Sequence, residues 1–143
     1  MQNPTTPARW AGAFAATAVA FGVLDALWLG VVAKDSYSRL LGDLMADPIN
    51  APAAALFYAI YVAGITHFAT APGAAARSTR TAGIQGALLG LVAYSTFGLT
   101  NLAVIEGFPA TMVPVDLAWG TLATGSAAAI ATAAVNRFTR ERP

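Results

Sequence analysis

Two short stretches carry the residue types best suited to chemistry: Asp25-Ala26-Leu27-Trp28 and Asp116-Leu117-Ala118-Trp119. Each sets a carboxylate and an indole three residues apart inside an apolar run. That spacing is close to one helical turn, so each pair shares a helix face. A carboxylate in hydrocarbon is costly and is usually partnered or functional. Leaving water favours the protonated carboxyl, and a second carboxylate nearby favours it further. Such a pair suits proton or cation binding, or general acid/base chemistry. The alternative is packing alone, each Asp hydrogen-bonding to Tyr94, Thr100, Asn101 or an indole N–H and fixing one helix against another. Trp28 and Trp119 are read either as walls of the same site or as interfacial belt residues, with the depth of Trp119 arguing against the belt.

Other chemistries lack their residues. The chain has no Cys and a single histidine, His67. Disulfides, thiolate metal sites and cysteine nucleophiles are excluded, as is a haem held by two histidines. His67 has no second ligand at metal-binding spacing, so no metal site is expected. Neither a Gly-x-Ser-x-Gly nor a His-Glu-x-x-His stretch nor a phosphate-binding loop occurs, and the residues leave any cofactor unknown.

The elements that must position the two acids are membrane helices. The 143 residues are 57% hydrophobic and only 10% charged, with a mean hydropathy of +0.59. A soluble domain carries about a quarter charged residues. Four apolar runs approach the ~20 residues that cross a bilayer, and they predict an all-α, integral-membrane four-helix bundle forming one domain over residues 1–143. The expected helices cover about 10–33, 52–70, 82–105 and 111–135. Residues 1–9, with Pro4 and Pro7, read as a loose tail. A cleavable signal peptide is the competing reading of the first run, but that run is too long for an h-region.

Within the first helix Gly22, Ala26 and Gly30 recur every four residues and make a groove for a neighbour. Residues 34–50 place Tyr37, Leu40, Leu41, Leu44 and Met45 at helical spacing between Arg39, Asp43 and Asp47. This pattern fits a short amphipathic helix in the membrane interface, ended by Pro48, with an ordinary loop as the alternative. In the second helix the stripe Ala55, Ala59, Ala63 and His67 reads as a packed face that turns His67 into the bundle or its mouth. In the third, Ala82, Gly86, Gly90, Tyr94 and Gly98 share a stripe, and Gly86-x-x-x-Gly90 has the close-packing spacing of membrane helices. Glu106-Gly107-Phe108-Pro109 predicts a tight turn before a fourth helix whose Asp116, Gly120 and Ala123 share a face.

Positive charge sets the expected orientation. Arg9, Arg77, Arg80, Arg137, Arg140 and Arg142 lie on the side of the termini and middle loop, whereas only Lys34 and Arg39 lie opposite, beside Asp35, Asp43, Asp47 and Glu106. The positive-inside rule then places both termini in the cytoplasm. Asp25 falls about 13 Å below the outer surface and Asp116 ~5–10 Å below it. Asn101, Thr100 and Tyr94 share that half, while His67 lies near the cytoplasmic face. The net charge of +1 and the lack of a basic stripe indicate no nucleic-acid partner. Gly64-Ile65-Thr66-His67 also echoes Gly98-Leu99-Thr100-Asn101. First then echoes fourth and second echoes third, an order that does not suit tandem duplication.

The chain resembles a small bacterial inner-membrane family known as a domain of unknown function and labelled a predicted membrane protein. The matching stretches run in order: Asp25-x-x-Trp28-Leu29, Tyr37-x-x-x-Leu41-Gly42, Asn50 with Phe57-Tyr58-x-x-Tyr61-x-x-Gly64, Gly86-Ala87-x-x-Gly90-x-x-x-Tyr94-x-Thr96, Leu99-Thr100-Asn101 and Asp116-x-x-Trp119-Gly120. The family pattern has Tyr-Asp where this chain has Phe97-Gly98, so a third carboxylate on the third helix is missing. The resemblance implies a four-helix inner-membrane protein and supplies no activity.

The leading expectation is binding or transport of a small ligand, proton or cation through an outward-half polar pocket of Asp25, Trp28, Tyr94, Thr100, Asn101, Asp116 and Trp119. An integral-membrane enzyme acting on a lipid or isoprenoid, with the two acids as acid and base, is the alternative. A structural or assembly subunit is the third reading. Expected partners are membrane lipids and a second copy, most simply in a C2 dimer.

Overall fold

The computed structural model describes residues 6–32, 34–46 and 48–140. Of the expected tail 1–9, residues 1–5 lie outside the described residues, as do Ala33, Asp47 and Arg142, whereas Pro7, Ala8 and Arg9 are already helical. Helix α1 (Pro7–Leu27) starts with proline in its first turn, where a missing N–H costs least, and runs on into a π-helical turn at Trp28–Val32. The expected short amphipathic helix is α2 (Lys34–Leu41), followed by a 3-10 turn at Gly42–Leu44. It stops before Pro48 because Gly42 adopts the left-handed conformation, φ +52°.

Asn50 caps α3 (Ala51–Ile65), its side-chain oxygen accepting from the Ala53 N–H at 3.2 Å. A π-helical turn at Thr66–Thr70 carries the chain into α4 (Ala71–Ala75), so this apolar crossing runs Ala51–Ala75. Pro72 does not end the helix as its position suggests. Just before it the ladder has widened, the Ala71 N–H donating to the Thr66 carbonyl five residues back, which makes room for the proline ring. Ser78 caps α5 (Thr79–Val104), accepting from the Thr81 N–H at 3.1 Å. The expected tight turn comes next, with Gly107 at φ +79°, and α6 (Met112–Arg140) holds Pro114 in its first turn. Four helices are thus long and apolar enough to cross a membrane, and the described residues contain no strand.

α6 is the central element, packed along both α5 and α1. The α5–α6 approach is as close as the glycine spacing suggests. A Cβ on Gly86 would sit 2.8 Å from the Thr124 carbonyl oxygen, and one on Gly90 would collide with the Gly120 carbonyl. Phe21, Val62, Ile65, Ala69, Ala123 and Ala127 fill the interior. Hydroxyls join the helices there: Thr17 to Thr70 at 2.8 Å and Tyr61 to Thr124 at 2.7 Å. Such bonds average about 0.6 kcal/mol each in membrane proteins. Large apolar residues such as Val31, Leu56, Ile60, Val92, Val104 and Leu122 point outwards. Apolar outside and small or hydroxylated inside is the pattern of a bundle solvated by lipid.

Two expected faces differ. The stripe Ala55, Ala59, Ala63, His67 is not packed, since Ala55, Ala59 and His67 are exposed and His67 lies edge-on to Phe68. The buried face is Tyr61, Val62, Ile65, Thr66, Ala69 and Thr70. Larger side chains gain more contact than alanines there, and the π turn rotates everything after Ile65. Of the expected groove Gly22, Ala26 and Gly30, only Gly22 receives a neighbour, the Tyr58 hydroxyl, whereas Ala26 and Gly30 are exposed. Tyr58 also donates to the Ala18 carbonyl, which fixes it over that glycine.

Arg77 ends α4 in an unusual way. The Ser78 N–H donates to the Gly73 carbonyl at 2.9 Å and the Arg77 N–H to the Ala74 carbonyl at 3.1 Å. These are the paired bonds of a Schellman cap, and they put Arg77 at the position glycine normally takes, φ 52°. Arg77→Gly should therefore raise stability by about 1 kcal/mol in a lipid-free detergent melt, while Arg77→Val should lower it.

Candidate functional site

At the α2 end of the bundle the two Asp-x-x-Trp stretches interlock. One turn of α1 supplies Asp25 and delivers Trp28 at the start of the π turn. The first turns of α6 supply Asp116 and Trp119. The two indoles stack face to face, centroids 4.4 Å apart and planes 7° from parallel. Each indole N–H then addresses the acid of the opposite helix. The Trp119 N–H lies beside the Asp25 carboxylate and interacts with it electrostatically, but it is buried and completes no hydrogen bond of normal geometry. The Trp28 N–H reaches Asp116 through an intermediary, donating to the Tyr37 hydroxyl at 3.3 Å, which itself donates to Asp116 Oδ1.

Tyr37 comes from α2, outside the long apolar helices, and folds back over the cluster. It is the site residue that the pattern of apolar positions concealed. Its place on the stripe with Leu40 and Leu44 reads as membrane contact, and only the hydroxyl on that stripe hints at an inward partner. Burial pushes the Tyr37 hydroxyl above the ordinary tyrosine range; its hydrogen bond to Asp116 and the charges of Asp116 and Asp25 push it further, and the Trp28 N–H pulls the other way. A proton held more tightly in the folded state contributes stability up to the ordinary tyrosine value, about pH 10, and that contribution is lost as pH rises beyond it. The stability advantage of the native chain over Tyr37→Phe should thus be flat from pH 7 to about 10 and shrink above, as read by melting curves across that range.

Asp116 is only 5% exposed and Asp25 is half-buried. Both carboxylates act electrostatically on Tyr37 and on Tyr94. Neither has a cationic partner among the described residues. Tyr94 reaches the cluster from α5 because Gly120 opposite it has no side chain, and its ring lies against that backbone. Behind it, Tyr61 meets Tyr94 edge-on with centroids 6.2 Å apart. Of the expected residues, Asp25, Trp28, Tyr94, Asp116 and Trp119 come together. Thr100 does not join them: it is exposed, and its hydroxyl donates back to the Thr96 and Phe97 carbonyls of its own helix. Asn101 is half-buried and makes no side-chain hydrogen bond among the described residues.

A family model described as Predicted membrane protein (DUF2177) matches residues 10–133. The chain belongs to that family. The match takes in α1 through most of α6, and with it every member of the cluster from Asp25 to Trp119. No curated protein and no solved structure matches the chain. The family carries no known function, so the chemistry has to be read from the site itself.

That chemistry is limited and specific. Two acids without a countercharge among the described residues are the chemistry that the cluster offers. Among the described residues no third acid or histidine joins them to make a metal cage.

Proposed function

We propose that this is a bacterial inner-membrane protein that binds a proton, or a small cation in exchange for it, between Asp25 and Asp116 in the outer half of the bilayer. The single observation that carries the reading is the pair of uncompensated carboxylates beside the stacked indoles, with Tyr37 bonded to Asp116. Arg9, Arg77, Arg80, Arg137 and Arg140 gather at the end away from the cluster, which supports cytoplasmic termini and an outward-facing site. Pure packing would be served better by neutral residues, since an acid costs far more than an amide in hydrocarbon.

The test uses the indoles as reporters. In a Trp10→Phe background the emission of Trp28 and Trp119 in liposomes should change with pH as the acids gain a proton. Asp25→Asn and Asp116→Asn should each remove that titration. Unchanged pH dependence in both variants would overturn the proposal.

A further inference from the structure

Towards the end of the bundle opposite the acids, α1, α4 and α6 border a cavity of about 1090 Å³. Its walls are mostly alanine, including Ala16, Ala20, Ala74 and Ala134, with Val19 and Ile130. Arg9 and Arg77 line it too. A second hollow of about 460 Å³ adjoins it and shares Arg77 and Asn136, adding Arg137 and Arg140. Among the described residues no acid lines either one.

We propose that this groove is a binding site for one anionic phospholipid, its phosphate at the Arg77 end and an acyl chain along the alanine wall. Length, polarity and charge agree. From Ala8 to Ala20 the α1 wall rises about 18 Å, close to half of a ~30 Å hydrocarbon core. The groove therefore has the depth of one leaflet, and its arginines fall at headgroup level. Small side chains along the wall let an extended chain lie close to the helix backbones. A second copy of this protein is the poorer occupant, because it would bring the same arginines to the same mouth. Basic hollows between membrane helices on the cytoplasmic side suit anionic headgroups on general electrostatic grounds.

Arg77 itself adds to the case. It occupies a left-handed position that glycine would fill with less strain. The arginine there lines both hollows at once.

The full chain is reconstituted in nanodiscs of phosphatidylcholine with a minor share of phosphatidylglycerol, then released for native mass spectrometry. The native protein should retain phosphatidylglycerol at least tenfold over its share of the mixture. Arg9→Gln with Arg77→Asn should bring that enrichment down to about twofold or less; asparagine tolerates the left-handed backbone, so folding is preserved. Ala134→Phe, which fills the groove and leaves the arginines, should reduce retention of both lipids. Asp25→Asn should leave lipid retention untouched, which separates this site from the acid cluster. Equal retention of the two lipids by the native chain would overturn the proposal. So would enrichment that survives both groove variants, or a stable dimer cross-linked through Ala16.

Discussion

Gly90→Ala should be among the most damaging single substitutions in this chain, costing ~3 kcal/mol or preventing assembly of α5 on α6. A methyl group there would run into the carbonyl of Gly120, and two backbones have no rotamer with which to yield. The helices would have to separate along their whole contact, loosening the Gly86 approach to Thr124 and the Gly125 approach to Gly83. Gly120→Ala should be nearly as harmful for a different reason. Its methyl would enter the Tyr94 ring, so the loss of packing would be joined by movement of a residue at the acid cluster. Gly12 and Gly64 provide the contrast, since a methyl group on either meets nothing within 4 Å. Alanine at those sites should be neutral or stabilising by about 0.5–1 kcal/mol. Reversible unfolding in mixed micelles ranks all four, and equal costs across the set would contradict this account of the helix crossing.

Tyr37→Phe should have the second large effect, about 1–3 kcal/mol. It removes at once the acceptor of the Trp28 N–H and a donor to Asp116. A buried carboxylate losing its donor is the more serious half, because hydrogen bonds to charged groups are worth about twice those between neutral ones. The expectation is sharpened by a double-mutant cycle with Asp116→Asn. If Tyr37 acts through Asp116, the two substitutions should be non-additive by about 1–2 kcal/mol. A coupling near zero would mean that Tyr37 merely covers the surface of the bundle.

Much of this molecule can be read from its sequence because the solvent is hydrocarbon. Long apolar runs must be helices, since no other open structure satisfies its own backbone in lipid. The Gly86-x-x-x-Gly90 spacing reads directly as a close crossing. The approach of Asp25 and Asp116 is a consequence of span order and depth. Other features depend on atoms that the pattern does not weigh. Tyr37 belongs to an apolar stripe by its ring and to the site by its hydroxyl. Thr100 is exposed and uses its hydroxyl within its own helix, while Asn101 shares the face of Tyr94 but lies about 10 Å further along α5. His67 sits on an alanine stripe that larger neighbours outcompete for the interior. The π turn at Thr66–Thr70 changes the angular register of the helix beyond it, and a strict four-residue spacing does not anticipate that.

The reach of Tyr37 has a consequence beyond its own hydrogen bonds. It hangs from a short helix outside the four long apolar spans yet grips an acid inside the bundle. Release of that grip would free α2 and the 3-10 turn behind it as a unit. A soluble protease offered the turn at residues 42–46 would then cut at a rate set by the charge on Asp116, making an event within the bilayer readable from the aqueous side.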